Sequence, residues 1–148
     1  MSLANSEFNK DNQMLWSSRE KREQYGEIFT PYSLIERMFG MLTKEDFTNP
    51  RATWLDPGAG TGFFSVYLFW KLDAGLADII PCKEERHIHI ITKMIYMVEL
   101  QEENVSVLTS LFGSGANIFC EDYLSTVPFT KIEFDYVIGN PPYNRNGI

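Results

Sequence analysis

Hydrophobic and polar positions change their period several times along this chain, and each change marks an element. After roughly two dozen polar residues that read as frayed or partly helical, Leu34, Ile35, Met38, Phe39 and Leu42 recur at the spacing of one helical face. Thr30-Pro31 ahead of that stripe reads as an N-cap followed by proline at the first helical position, where a missing N–H costs nothing. Asn49-Pro50 breaks the segment. Ala52-Thr53-Trp54-Leu55 then reads as a short apolar strand opening onto Asp56-Pro57-Gly58-Ala59-Gly60-Thr61-Gly62. Residues 63–72, apolar nearly all round, read as a helix packed on a sheet.

The alternation repeats downstream. Residues 73–81 read as a connection, 83–93 as a helix, 94–98 as a buried strand ended by Glu99, and 105–112 as a helix stopped by Gly113-Ser114-Gly115. Residues 116–120 read as a third strand ending at Glu121-Asp122, and 134–138 as a fourth ending at Gly139-Asn140. Strands alternating with helices predict an α/β fold with a doubly wound, mostly parallel sheet. Ligands of such sheets sit outside the carboxyl ends of the strands, where strand order reverses. Asp56, Glu99, Asp122 and Asn140 each follow a different predicted strand, so one crevice can collect all four.

Composition narrows the setting. A chain of 148 residues suits one compact domain with a real core. No run approaches the roughly 18 to 20 apolar residues that span a bilayer, so a soluble protein with no membrane partner is expected. The first seven residues, Met1 to Glu7, lack the basic start and apolar run of a signal peptide and are compatible with an expression-derived leader. Two cysteines, Cys82 and Cys120, are too few for a disulfide framework, which fits a reducing, cytoplasmic compartment. Cys82, His87 and His89 lack the fourth ligand and the spacing of a zinc site and read as surface or packing residues. The net charge of −7 argues against a chain that grips nucleic acid alone. Even the densest basic run, Arg19-Glu20-Lys21-Arg22-Glu23, alternates with acids, as a solvated face does.

Two segments carry chemistry. Gly58, Ala59, Gly60 and Gly62 allow a ligand to lie close against backbone at the start of a helix. No Lys-Ser or Lys-Thr pair follows them, which disfavours a phosphate-binding P-loop. A nicotinamide cofactor is disfavoured too, since the spacing is not Gly-x-Gly-x-x-Gly and Glu99 lies far beyond the usual distance of about 20 residues. Asn140-Pro141-Pro142-Tyr143 is the sharper feature. An aromatic amino group is a poor nucleophile because its lone pair is delocalised into the ring, so an enzyme must accept its hydrogens without protonating the nitrogen. The Asn140 side-chain oxygen and the Pro141 carbonyl are two such acceptors, the prolines fix their direction, and Tyr143 can stack on an extruded planar base.

Taken together, these segments resemble the S-adenosylmethionine-dependent N6-adenine DNA methyltransferases of restriction-modification type, in the subgroup whose cofactor half precedes the target-recognition half. The resemblance runs over residues 26–143 and implies a Rossmann-like methyltransferase fold, incomplete at the C-terminal side, with residues 1–25 as an N-terminal segment and 26–148 as a partial catalytic domain. It further implies that S-adenosylmethionine is the cofactor. Phe29-Thr30-Pro31 would then meet the methionine carboxylate, Asp56 the methionine amino group, Glu99 the ribose hydroxyls, and Asp122 beside Tyr123 the amino group of the cofactor's adenine. Asn140 through Tyr143 would be catalytic, by direct attack on the sulfonium methyl.

A protein-glutamine or RNA amino-group methyltransferase shares the same Asn-Pro-Pro-Tyr chemistry, although the residues ahead of the loop favour DNA. A catalytically silent cofactor-binding or assembly module is the alternative of another class. The family's further strands and target-recognition region would follow the catalytic motif, whereas this chain stops at Ile148. Alone it is therefore expected to bind cofactor weakly and to methylate poorly. Most DNA contacts are expected elsewhere, and a second chain or another copy is expected to cover the edge strand at 134–138.

Overall fold

A computed structural model describes residues 30–124 and 132–141. The expectations for residues 1–25, Phe29, Pro142 and Tyr143 lie outside the described residues. Four parallel strands, β1 (Trp54–Asp56), β2 (Ile95–Glu99), β3 (Asn117–Cys120) and β4 (Tyr136–Val137), form one sheet in the order β3-β2-β1-β4. Trp54 lies opposite Ile95 on one side and Tyr136 on the other, and Glu99 lies opposite Cys120. The chain lays β2 and β3 to one side of β1 and then crosses to the other for β4. That reversal opens a crevice beyond the ends of β1 and β4.

The helices are α1 (Tyr32–Phe39), α2 (Phe63–Gly75), α3 (Lys83–His89), which runs on into a π-helical turn at Ile90–Met94, and α4 (Glu102–Phe112). A 3-10 turn, Glu45–Phe47, follows α1. Side chains alternate across the strands with a period of two. Trp54, Ile95 and Met97 therefore enter a large core with Ile35, Phe39, Leu68, Leu72 and Leu108, while Leu55 and Val98 face the other side with Tyr96, Phe119 and Phe134. The first face holds most of the apolar burial, and hydrophobic burial is the main favourable term in folding.

Several boundaries differ from the sequence reading. Thr30 does not cap α1; Pro31 occupies the N-cap position, and its carbonyl accepts the first helical amides from Leu34 and Ile35. The helix also stops at Phe39, although Leu42 still packs against the core from the loop. In contrast, α2 continues through Asp73, because Leu72 and Leu76 on its inner face are both fully buried. α4 starts at Glu102, and its first-turn acids Glu102 and Glu103 lie where the helix dipole favours negative charge. β4 is two residues long rather than five: the Asp135 carboxylate accepts the Thr53 amide at 2.8 Å and the Thr53 hydroxyl at 3.2 Å, while the Asp135 and Tyr136 amides both donate to the Thr53 carbonyl at 3.1 Å, so regular pairing begins only at Tyr136.

Candidate active site at the carboxyl ends of the strands

The glycine loop after β1 is shaped by one residue above all. Gly62 has φ +97°, and a Cβ there would lie 2.8 Å from Leu108 Cδ2, so both its backbone angle and its contact with α4 require glycine. The loop is then tied to the neighbouring strand. Ala59 N–H donates to the Val98 carbonyl at 3.0 Å, and Gly60 N–H donates to Glu99 Oε2 at 2.8 Å. The other carboxylate oxygen, Glu99 Oε1, accepts the Gln101 amide at 2.8 Å and Asn104 Nδ2 at 3.4 Å. Glu99 is only 7% exposed, and these donors satisfy a buried charge that would otherwise be costly. β3 joins through the Glu121 amide, which donates to the Glu99 carbonyl at 3.1 Å.

On the opposite side, aromatic packing fixes a very short strand. Tyr136 stacks on Trp54 with centroids 3.8 Å apart, and Trp54 stacks on Phe47 at 5.6 Å. The Tyr136 hydroxyl donates to Asp46 Oδ1 at 2.7 Å, which pushes the Tyr136 hydroxyl above its ordinary pKa and holds Asp46 below its own. Just beyond, Ile138 N–H donates to the Leu55 carbonyl at 2.9 Å. Asn140 follows two residues later, so its place rests on side chains from the core rather than on a long ladder.

These elements enclose a cavity of about 340 Å3, within the span of about 300–1,000 Å3 common for small-molecule sites. Thr30, Gly58, Ala59, Gly60, Glu99, Asp122, Tyr123, Asn140 and Pro141 line it, which brings together nine of the residues singled out in the sequence. Its charged lining residues are Glu99, Glu121 and Asp122, with no lysine or arginine among the described ones. Such a wall suits a cationic ligand and disfavours phosphate. Thr61, Leu100 and Gln101 also line it and escaped the sequence reading as site residues. The Thr61 hydroxyl is buried without a hydrogen-bond partner, and its place inside the glycine loop was the available signal.

The crevice does not hold all four of the residues expected at the strand ends. Asp56 lies behind the wall, 2% exposed, with Ser65 Oγ donating to its Oδ2 at 2.8 Å. Burial pushes its carboxyl up to about 7 against the pull of the Ser65 hydroxyl and the Gly58 amide, and Glu99 adds a smaller upward push. Asp56 Oδ1 is buried and has no partner. It faces the exit of β4, where a Cβ on Gly139 would lie 2.5 Å from it. Gly62 and Pro31 do not line the cavity either, since Gly62 is spent on the α4 contact and Pro31 on starting α1.

Asn140 is held from an unexpected quarter. Its Nδ2 donates to Thr30 Oγ1 at 2.9 Å, across 110 residues of sequence, and Thr30 is 7% exposed. By contrast, the histidines lie away from the cavity. His87 Nε2 is 3.0 Å from Asp73 Oδ1 beside the Arg86–Asp73 ion pair at 2.6 Å, and His89 Nε2 is 2.7 Å from the Pro50 carbonyl.

Comparison with known proteins accords with this geometry. A family model described as N-6 DNA Methylase matches residues 13–147. An uncharacterised adenine-specific methylase of Mycoplasma pneumoniae is 39% identical over 97 residues, covering 64% of this chain and 22% of that protein. Modification methylase CviBIII of Paramecium bursaria Chlorella virus NC1A is 28% identical over 128 residues, covering 85% of this chain and 28% of that protein. The chain thus spans about a quarter of the length of these relatives. With the family model covering nearly its whole length, this chain belongs to the N-6 DNA methylase family.

Proposed function

We propose that this chain forms the cofactor-binding and catalytic half of an S-adenosylmethionine-dependent enzyme that methylates the N6 amino group of adenine in DNA, within a restriction-modification system. The observation that carries this reading is that Asn140 and Pro141 share one cavity with the glycine loop and Glu99. The family description, N-6 DNA Methylase, supports DNA over a protein or RNA substrate, and the name of one relative, an adenine-specific methylase, supports adenine as the base.

The residues present fit the cofactor. Its sulfonium and ammonium charges suit the acidic wall, and the unpaired Asp56 Oδ1 is an acceptor for an ammonium that reaches it past the loop. Glu99 Oε2 accepts the Gly60 amide and carries a second lone pair, so the carboxylate can accept a ribose hydroxyl while it keeps the loop amides. Asp122 and Tyr123 stand at the end of β3, where an adenine ring and its amino group would lie. Thr30, which lines the cavity, meets the carboxylate end.

When bound, S-adenosylmethionine supplies an electrophilic methyl on a sulfur that departs without needing an acid. The chain's task is to orient the nucleophile. Asn140 Oδ1 and the Pro141 carbonyl accept the two hydrogens of the target amine, which turns the nitrogen lone pair toward the methyl. Pro142 fixes that turn, and Tyr143 stacks on the extruded base.

In this reading residues 26–148 make up the catalytic unit, and 1–25 lead into it. DNA is gripped mainly by parts outside this chain, and a second chain or another copy pairs with β4, whose Val137 is 60% exposed. The setting is cytoplasmic, where the two free cysteines stay reduced. Among the described residues no helix is long and apolar enough to cross a membrane.

Calorimetric titration with S-adenosylmethionine and incubation of the whole protein with tritiated cofactor and unmethylated DNA, RNA or protein test the proposal. Heat of binding and label in DNA are expected. Label confined to RNA or protein would overturn the substrate, and absence of binding would overturn the cofactor.

A further inference from the structure

We infer that Thr30 is a positioning residue that couples cofactor occupancy to the orientation of the Asn140 amide. The inference rests on the proposed methyl transfer and deepens it. A hydroxyl has one proton to donate and lone pairs with which to accept. In the hydrogen bond observed, Asn140 Nδ2 donates and Thr30 Oγ1 accepts, which leaves the hydroxyl proton available for an acceptor on a ligand. Thr30 lines the cavity, so that proton can be directed into it.

The opposite arrangement is also open to this pair in the cofactor-free protein. If the Asn140 amide flips, Thr30 donates to Oδ1 and the NH2 group turns toward the position of the target amine. Two donors then face each other, and the Pro141 carbonyl alone is left to orient the nucleophile. A carboxylate at the Thr30 end of the cavity removes that alternative. It takes the hydroxyl proton, so Thr30 can only accept from Asn140, and Oδ1 is committed to the substrate side. Cofactor binding thereby sets the amide before the base arrives.

Thr30 is suited to this task because it stands immediately before the N-cap residue of α1 and is buried, with its hydroxyl beside Asn140 instead of capping the helix. The two residues lie on segments held independently, one by α1 in the core and the other by the Tyr136–Trp54 stack. Neither is free to follow the other, so the hydrogen bond carries orientation and not merely proximity.

Thr30→Val keeps the shape and removes the hydroxyl, whereas Thr30→Ser keeps the hydroxyl. In the whole protein, with unmethylated DNA and saturating S-adenosylmethionine, T30V should lower kcat by about 10- to 100-fold, the scale of a misplaced catalytic group. T30S should keep kcat close to that of the unaltered protein. Independently of activity, the side-chain amide resonances of Asn140 in the 15N-labelled chain should shift on saturation with S-adenosylmethionine, and T30V should abolish that shift. T30V that raises the KM for cofactor and leaves kcat intact would reduce Thr30 to a simple cofactor contact and overturn the inference. Equal loss of kcat in T30S and T30V, or resonances indifferent to cofactor in the unaltered chain that still binds it, would do the same. An unaltered protein that neither binds cofactor nor methylates DNA would instead overturn the functional reading beneath it.

Discussion

In the proposed reaction, Asn140 and Asp56 divide the chemistry between the cavity wall and a buried position behind it. Asn140→Ala removes one of the two acceptors proposed for the target amine and should lower methyl transfer by about 100- to 1,000-fold or more, the cost of deleting one preorganised polar group from an active site. Cofactor affinity measured by calorimetry should change little; if both fall together, Asn140 serves binding. Asp56 lends itself to a pH test. Its folded carboxyl sits at about 7 against an ordinary value of 3.8, chiefly through burial. Between those values the native chain holds a proton that the unfolded chain has released, so the stability contributed by this group is full below about pH 4 and is lost as pH rises through 7. The thermal midpoint should therefore drop between about pH 4 and pH 7, and Asp56→Asn should flatten that drop. Cofactor affinity should run the other way, strengthening as pH rises through 7, because an ammonium beside Oδ1 favours the ionised carboxylate.

At the scale of elements, short strands are held in place by side chains from other parts of the fold. The glycine loop depends on Gly62, where alanine would need both a left-handed backbone angle and space now filled by Leu108. Gly62→Ala should destabilise the chain by about 1–3 kcal/mol, and differential scanning calorimetry reads this directly. Arg86 plays a comparable part in the connection between α2 and α3. It is buried, donates from Nε to Asp73 and from Nη1 to the Ile80 carbonyl at 2.8 Å, and so fixes the turn that was read as an open connection. Arg86→Ala should cost roughly 1–3 kcal/mol in denaturant unfolding, since it strands a partly buried carboxylate and a carbonyl. A midpoint unchanged from that of the original chain would mean that water takes over both contacts.

For the whole molecule, an acidic chain built around an acidic cavity should attract a cationic cofactor and not grip DNA unaided. In a gel-shift experiment at physiological salt the chain alone should not retain duplex DNA at about micromolar concentration, near the tight end of non-specific binding. Retention there would show that it carries its own phosphate contacts. Periodicity and punctuation alone account for the alternating α/β order, for strands near 54, 95, 117 and 136, and for polar residues at their carboxyl ends, because burial periodicity and the conformational limits of Gly and Pro are local properties. The family was legible as well, since the Asn140-Pro141 segment and the glycine loop each lie within a few residues of sequence. Three features depended on contacts between distant residues. Thr30 turned from a helix cap into the partner of Asn140, Asp56 withdrew behind the cavity wall, and β4 shrank to two residues fastened by Trp54, Asp46 and Thr53. In each case a polar group chose among competing partners, and that choice is settled only when strands and helices far apart in the chain are packed against one another.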